Sequence, residues 1–143
     1  MTFLLDVNVL IALLDPTHIH HDAAHEWFGI EGQESWATCP LTENGVLRIV
    51  GHPTYRNFPG NPKVISESLA ELRMLQGHTF WPDDISLLDS SRIDLTRLLT
   101  AAQVTDSYLL GLAQAHGGRL ATLDKRLVTD AVRHGARSLR LIR

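Results

Sequence analysis

Apolar and polar positions change period repeatedly along this chain. Thr2 to Leu5 is a short apolar run that stops at Asp6, the pattern of a strand buried on both faces. Val9 to Leu14 is apolar throughout and is closed by Asp15-Pro16, which predicts a short helix. His21 to Phe28 carries apolar or aromatic residues at 23, 24, 27 and 28, a helical spacing followed by Gly29 and Gly32. Ser35 to Cys39 reads as a second strand, and Thr42 is expected to N-cap a helix running to Val50. Residues 51–62 hold three prolines and two glycines and predict a loop. Val64 to Leu75 is amphipathic, with apolar residues at 64, 65, 69, 72 and 75. His78 to Trp81 predicts a third strand, after which Asp83 or Asp84 is expected to cap a short helix. Val104 to His116 predicts a helix ended by Gly117-Gly118. Arg119 to Leu123 is a strand leading to Asp124, Lys125 to His134 a short helix, and Ser138 to Ile142 a last strand.

Strands that alternate with helices imply βαβ units, hence an α/β fold: a central, mainly parallel sheet covered by helices on both faces as a three-layer α/β/α sandwich. With 143 residues, 44% of them hydrophobic, the chain is expected to form one domain over 1–143. No apolar run approaches the ~20 residues of a membrane span. The N-terminus lacks a basic stretch before its apolar run, so no signal peptide is expected. The single cysteine, Cys39, excludes an internal disulfide and cysteine-rich metal sites. A cytoplasmic protein is the plain expectation.

Net charge is −3, which does not announce a nucleic-acid binder. Its distribution says more. Residues 1–91 carry 4 Lys+Arg against 12 Asp+Glu, whereas residues 92–143 carry 9 against 4. A cationic C-terminal third can mark a phosphate-facing surface or only a solvated one.

The acids change the picture further. In a parallel α/β sheet, ligands bind beyond the carboxyl ends of the strands. Asp6 and Asp124 each follow an apolar strand directly, so both are expected at that edge. Asp106 after Thr105, and Glu43 after Thr42, stand at predicted helix starts entered from the same edge. Four carboxylates from four segments are therefore expected to converge. Two carboxylates ~4 Å apart repel by ~4 kcal/mol at an effective dielectric of ~20, so convergence calls for a cation. An all-oxygen donor set suits Mg²⁺ or Mn²⁺, and such ions support phosphodiester hydrolysis by activating water. Asn8 and Thr105 are neutral partners within one turn of the acids. Taken alone, Asp106 and Glu43 are ordinary helix-start acids that favour the macrodipole, and Asp124 fits an ordinary turn. Asp6, which ends an apolar strand and precedes an apolar helix, is the least ordinary of the four.

The segments Leu4-Leu5-Asp6-Val7-Asn8-Val9-Leu10, Leu41-Thr42-Glu43, Val104-Thr105-Asp106-Ser107-Tyr108-Leu109 and Ala121-Thr122-Leu123-Asp124-Lys125-Arg126-Leu127 stand in this order. In order and spacing they resemble the PIN-domain family, and within it the VapC-type toxins of bacterial toxin–antitoxin pairs. The resemblance runs over nearly the whole chain. It implies a metal-dependent endoribonuclease acting as a toxin on RNA, Mg²⁺ or Mn²⁺ as cofactor, a homodimer, and a small antitoxin as partner. It also implies catalytic and metal-binding roles for Asp6, Glu43, Asp106 and Asp124, and places the hydroxyl of Thr122 near the metals.

Lys125, Arg126 and Arg56 are the basic residues expected to contact the RNA backbone, with Arg133 and Arg137 farther along the chain. Arg56 lies in the 51–62 loop beside Tyr55 and Phe58, a composition that suits base stacking or, equally, packing onto the core. His21 and His25 are one helical turn apart, the spacing of a Zn²⁺ pair. No HExxH pattern or third ligand accompanies them, and a solvated helix start is the simpler reading. Trp27, Trp36 and Trp81 are expected in the core. Two rival functions are a catalytically silent PIN-like module that binds RNA or a partner, and an α/β phosphatase. The latter wants a second Asp where this chain has Asn8.

Overall fold

The computed structural model describes residues 1–143. Five strands form one all-parallel sheet in the order β3-β2-β1-β4-β5. They are β1 (Phe3–Leu5), β2 (Trp36–Thr38), β3 (His78–Phe80), β4 (Arg119–Thr122) and β5 (Leu139–Leu141). The helices are α1 (Val7–Leu14), α2 (His21–Trp27), α3 (Pro40–Val50), α4 (Pro62–Arg73) and α5 (Gln103–Ala115). No helix is long and apolar enough to cross a membrane.

The strands are nearly all apolar because they have two faces to bury. Phe3, Leu5, Trp36 and Ala121 enter one core with Val9 and Leu10 of α1, Val46 of α3 and Leu69 of α4. Leu4, Ala37 and Leu120, the alternate positions, enter a second core with Leu109 and Leu112 of α5. The period-two alternation thus sends neighbouring residues to opposite helix layers. Each fully buried leucine contributes about 2 kcal/mol of apolar transfer. The three-layer sandwich follows: α1 to α4 on one face, α5 on the other.

Glycine is required at two places that set the layers. A Cβ on Gly45 of α3 would stand 2.8 Å from Val7 Cγ2, so its absence lets α3 cross close to the start of α1. Gly117 takes φ +72° directly after α5, a conformation glycine adopts without steric cost.

Four local expectations need correction. Thr42 is not the N-cap of α3. The helix begins earlier, with Pro40 in its first turn and Cys39 at the cap, and the Thr42 hydroxyl reaches back to accept from the Cys39 N–H at 3.0 Å. Proline is at home there because its missing N–H would be unpaired anyway. After α2 the chain unwinds into a wider π turn, Phe28–Gly32, in which the Gln33 N–H donates to the Phe28 carbonyl. Neither Asp83 nor Asp84 caps a helix, since residues 81–94 are irregular and Asp84 instead accepts from His116 Nε2 at 2.9 Å. It is Asp94 that caps a short 3₁₀ turn, Leu95–Arg97. Residues 125–134 are not helical either. Beside local turn bonds, two of their backbone bonds go to a distant segment: Asp94 N–H donates to the Ala131 carbonyl, and Arg133 N–H to the Arg92 carbonyl. Ile93 and Val132 form an antiparallel bridge, and both side chains are buried.

Candidate active site

The strand order locates the site. From β1 the chain steps to β2 and β3 on one side, then crosses to β4 and β5 on the other. The topological switch point therefore lies between β1 and β4, where open α/β sheets form their ligand crevice. Asp6 and Asp124 are placed just past the ends of these two strands.

Asp6 is both strand stop and helix cap. One oxygen, Oδ1, accepts from the Val7 N–H at 2.7 Å, and Oδ2 accepts from the Thr122 hydroxyl at 2.8 Å. Asn8 ties the same corner together. Its Oδ1 accepts from the Leu123 N–H at 3.0 Å, and its Nδ2 donates to Thr122 Oγ1 at 3.1 Å. The Thr122 hydroxyl also accepts from the Asp124 N–H at 3.1 Å. Asp6, Asn8 and Thr122 thus stitch the ends of β1 and β4 with their side chains and fix the Asp6 carboxylate rigidly. Burial pushes the Asp6 pKa up and the Asp124 charge adds to this, against the Thr122 and Val7 hydrogen bonds.

Asp106 sits in the first turn of α5. The tight Gly117-Gly118 turn makes α5 antiparallel to β4, so the start of α5 overlies the carboxyl end of the sheet. The Asp106 carboxylate accepts no hydrogen bond. Burial pushes its pKa up to about 6, helped by the charges of Asp6 and Asp124. Asp124 is half-buried and spends Oδ1 on the Arg126 N–H at 2.8 Å. None of these three carboxylates forms an ion pair, although six such pairs occur elsewhere in the molecule. The Asp124 charge raises Asp6 and Asp106, Asp6 also raises Asp106, and no ion pair offsets the three carboxylates, so the corner carries a local excess of negative charge.

Glu43 behaves differently. It occupies the first turn of α3, one strand farther along the same edge. Its Oε2 accepts from the Thr38 hydroxyl at 2.7 Å, and its Oε1 from Arg73 NH1 at 3.2 Å. Thr38 Oγ1 in turn lies 2.7 Å from His78 Nε2, and the hydroxyl accepts there because its own hydrogen is given to Glu43. Glu43 contributes to neither the Asp6 nor the Asp106 shift. The structure thus brings three of the four acids together and holds the fourth on Arg73. No three acid, imidazole or thiol side chains stand in a geometry that would hold a metal ion as they are. The donor set itself, all carboxylate oxygen with uncompensated charge, fits a hard divalent cation.

Of the other expected residues, Thr105 is exposed and bonds to none of the acids, while Lys125 and Arg126 are exposed directly beside Asp124. Arg56 is exposed but lies in the loop pinned to the opposite end of α1, about 12 Å along the helix from Asp6. There Tyr55 Oη and Asn57 Nδ2 donate to Asp15 at 2.5 and 2.7 Å. Sequence reasoning missed the partners of Glu43 and the Asp15 knot. Their members are 5 to 42 residues apart, and no periodicity links them.

A model of the PIN domain matches residues 3–131. The chain belongs to the PIN-domain family. Among curated proteins, Ribonuclease VapC39 of Mycobacterium tuberculosis is 44% identical over 131 residues, covering 92% of this chain and 94% of its own. Ribonuclease VapC44 of the same organism is 42% identical over 132 residues, 92% of each chain. Ribonuclease VapC38 is 41% identical over 90% of this chain and 89% of its own. The PIN-domain assignment agrees with the all-parallel sheet, whose β1–β4 switch point carries the three unpaired acids.

Proposed function

We propose that residues 1–143 act as one PIN nuclease domain, an endoribonuclease that hydrolyses RNA phosphodiesters with a divalent cation, Mg²⁺ or Mn²⁺, at Asp6, Asp106 and Asp124. The observation that carries this reading is the unpaired acid trio at the switch point. When bound, such an ion supplies neutralisation of the phosphate charge and a more acidic water. The protein does the rest. Asp6 is presented in one orientation by the Val7 N–H and the Thr122 hydroxyl, and Asn8 holds that hydroxyl. Asp106 presents a carboxylate with no competing hydrogen bond. Asp124 completes the donor set while its backbone is fixed through Thr122. Glu43 acts from one strand away once Arg73 releases it, and Thr105 borders the crevice at the start of α5. Lys125 and Arg126 meet RNA phosphates beside Asp124, with Arg56 a more distant contact.

The relatives' ribonuclease names support RNA as the substrate. The VapC resemblance further supports a cytoplasmic toxin, paired with a small antitoxin and working as a homodimer. The deciding experiment is RNA cleavage with Mg²⁺ or Mn²⁺ by wild type, Asp6→Ala and Asp106→Asn. Cleavage by wild type that falls at least a hundredfold in both variants is expected. Equal cleavage by all three sinks the proposal, and RNA binding without turnover by wild type supports the silent-module alternative.

A further inference from the structure

Outside the acid site, one cluster of ligand-type side chains has no part in the proposed reaction: the histidines where α1 meets α2. They are not merely solvated. His21 Nδ1 lies 2.7 Å from the Ala12 carbonyl oxygen, and His25 Nε2 lies 2.9 Å from that of Leu13. A carbonyl oxygen only accepts, so each of these ring nitrogens carries a hydrogen. The neutral tautomers are therefore fixed, with the free lone pair on Nε2 of His21 and on Nδ1 of His25. The two residues are one turn apart on α2, and their ring centroids are 4.3 Å apart at an interplanar angle of 57°. Neither ring makes another hydrogen bond.

A ring N–H anchored on a backbone carbonyl, with the second nitrogen free, is the arrangement that orients an imidazole ligand and raises its basicity. Here it occurs twice, side by side. We propose that His21 and His25 form a two-imidazole site for a borderline transition-metal cation of the Zn²⁺, Ni²⁺ or Cu²⁺ class, with water completing its coordination. His18 does not join in this conformation, because its Nδ1 accepts from the His20 N–H at 3.0 Å and its hydrogen is on Nε2. The site is separate from the acids in place and in chemistry. It sits at the far end of α1 from Asp6, and it offers nitrogen where the acid trio offers only oxygen. Its anchors are carbonyls of the last turn of α1, so a bound ion braces the α1–α2 junction.

The decisive variant keeps the anchors and removes the ligands. In His21→Asn the amide N–H replaces the ring Nδ1–H, and in His25→Gln it replaces the ring Nε2–H. Ni²⁺ titration by calorimetry is expected to show binding to wild type and to Asp6→Asn, and at least a tenfold loss in the double His21→Asn/His25→Gln variant. With one equivalent of Cu²⁺, paramagnetic resonance of wild type is expected to show coupling to two imidazole nitrogens. Unchanged Ni²⁺ affinity in the double variant, or a nitrogen-free copper spectrum in wild type, overturns the proposal. Should the double variant fail to fold, wild type alone decides. Substoichiometric Cu²⁺ is then expected to broaden the ring resonances of His21 and His25 ahead of the other six histidines. Equal broadening of all eight overturns the site.

Discussion

Two aspartates illustrate how position sets the worth of one side chain. Asp106 is disfavoured in its ionised form, with a pKa raised to about 6 by burial and by Asp6 and Asp124. Its cost to the fold is absent below pH about 4, where it is protonated folded or unfolded, and complete above pH about 6. Without divalent ions, Asp106→Asn is therefore expected to melt about 3 °C above wild type at pH 7.5, after discounting for solvent screening, and level with it at pH 4. Scanning calorimetry in chelator at the two pH values checks this. A divalent ion is expected to reverse the order at pH 7.5 by stabilising wild type more. Asp15 is the opposite case. Burial pushes its pKa up, but hydrogen bonds from Tyr55, Thr17 and Asn57 outweigh that and hold it at about 2. Its stabilisation is complete above pH about 4 and fades as pH falls toward 2, a contribution of about 2 kcal/mol at neutral pH. Asp15→Asn is expected to lower stability by up to that amount at pH 7 in urea titrations, with the difference vanishing near pH 2.

At the scale of elements, the contact between α3 and α4 carries the least obvious consequence. Arg73 leaves α4 to pair with Glu43 at the start of α3, and its guanidinium lies 5.0 Å from the centroid of the Phe80 ring. A partly exposed ion pair of this kind contributes only about 0.2–1 kcal/mol to stability. Arg73→Gln should therefore fold normally. It frees Glu43 to swing toward the acid trio, and Mn²⁺ affinity measured by calorimetry is expected to rise about two- to threefold. In the double variant Arg73→Gln/Glu43→Gln that gain should disappear. Cleavage rates give a companion test: Glu43→Gln is expected to lose about tenfold, against a hundredfold or more for Asp6→Asn. An equal loss would show that Glu43 joins the first set of ligands directly.

For the whole molecule, the charge asymmetry acquires a location. The chain is acidic overall, yet Lys125 and Arg126 of the basic C-terminal third are exposed beside the acid crevice. Under the proposed function, these cations are expected to draw an anionic substrate to the crevice rim. Substituting Lys125 and Arg126 with Ala is expected to weaken RNA binding about tenfold at low salt and to reduce the slope of log affinity against log salt by about two. Mn²⁺ binding should not weaken, because losing two cations beside Asp124 can only favour a bound cation. Fluorescence anisotropy with a labelled single-stranded RNA over a salt series reads both quantities.

Much of this was legible in the chain itself, because local chemistry acts over a few residues. Apolar runs that end at Asp6 and Asp124, the Gly117-Gly118 stop and the helical spacing of 64–75 were enough to give a parallel α/β sandwich and two acids at one sheet edge. Where sequence reasoning failed, distant partners had outbid local preference. Residues 125–134 carry helix-compatible residues, but Ala131 and Arg133 make backbone bonds with residues 92–94 and the rest is held in local turns. The α3 cap shifted from Thr42 to Cys39 because Pro40 fits a first turn. Only the tertiary structure could put Asp106 under the field of Asp6 and Asp124, draw Glu43 onto Arg73, or fix two imidazole tautomers against the end of α1. Each depends on groups brought together across the fold, and electrostatic and hydrogen-bond energies depend on distance in space, which the order of residues does not state.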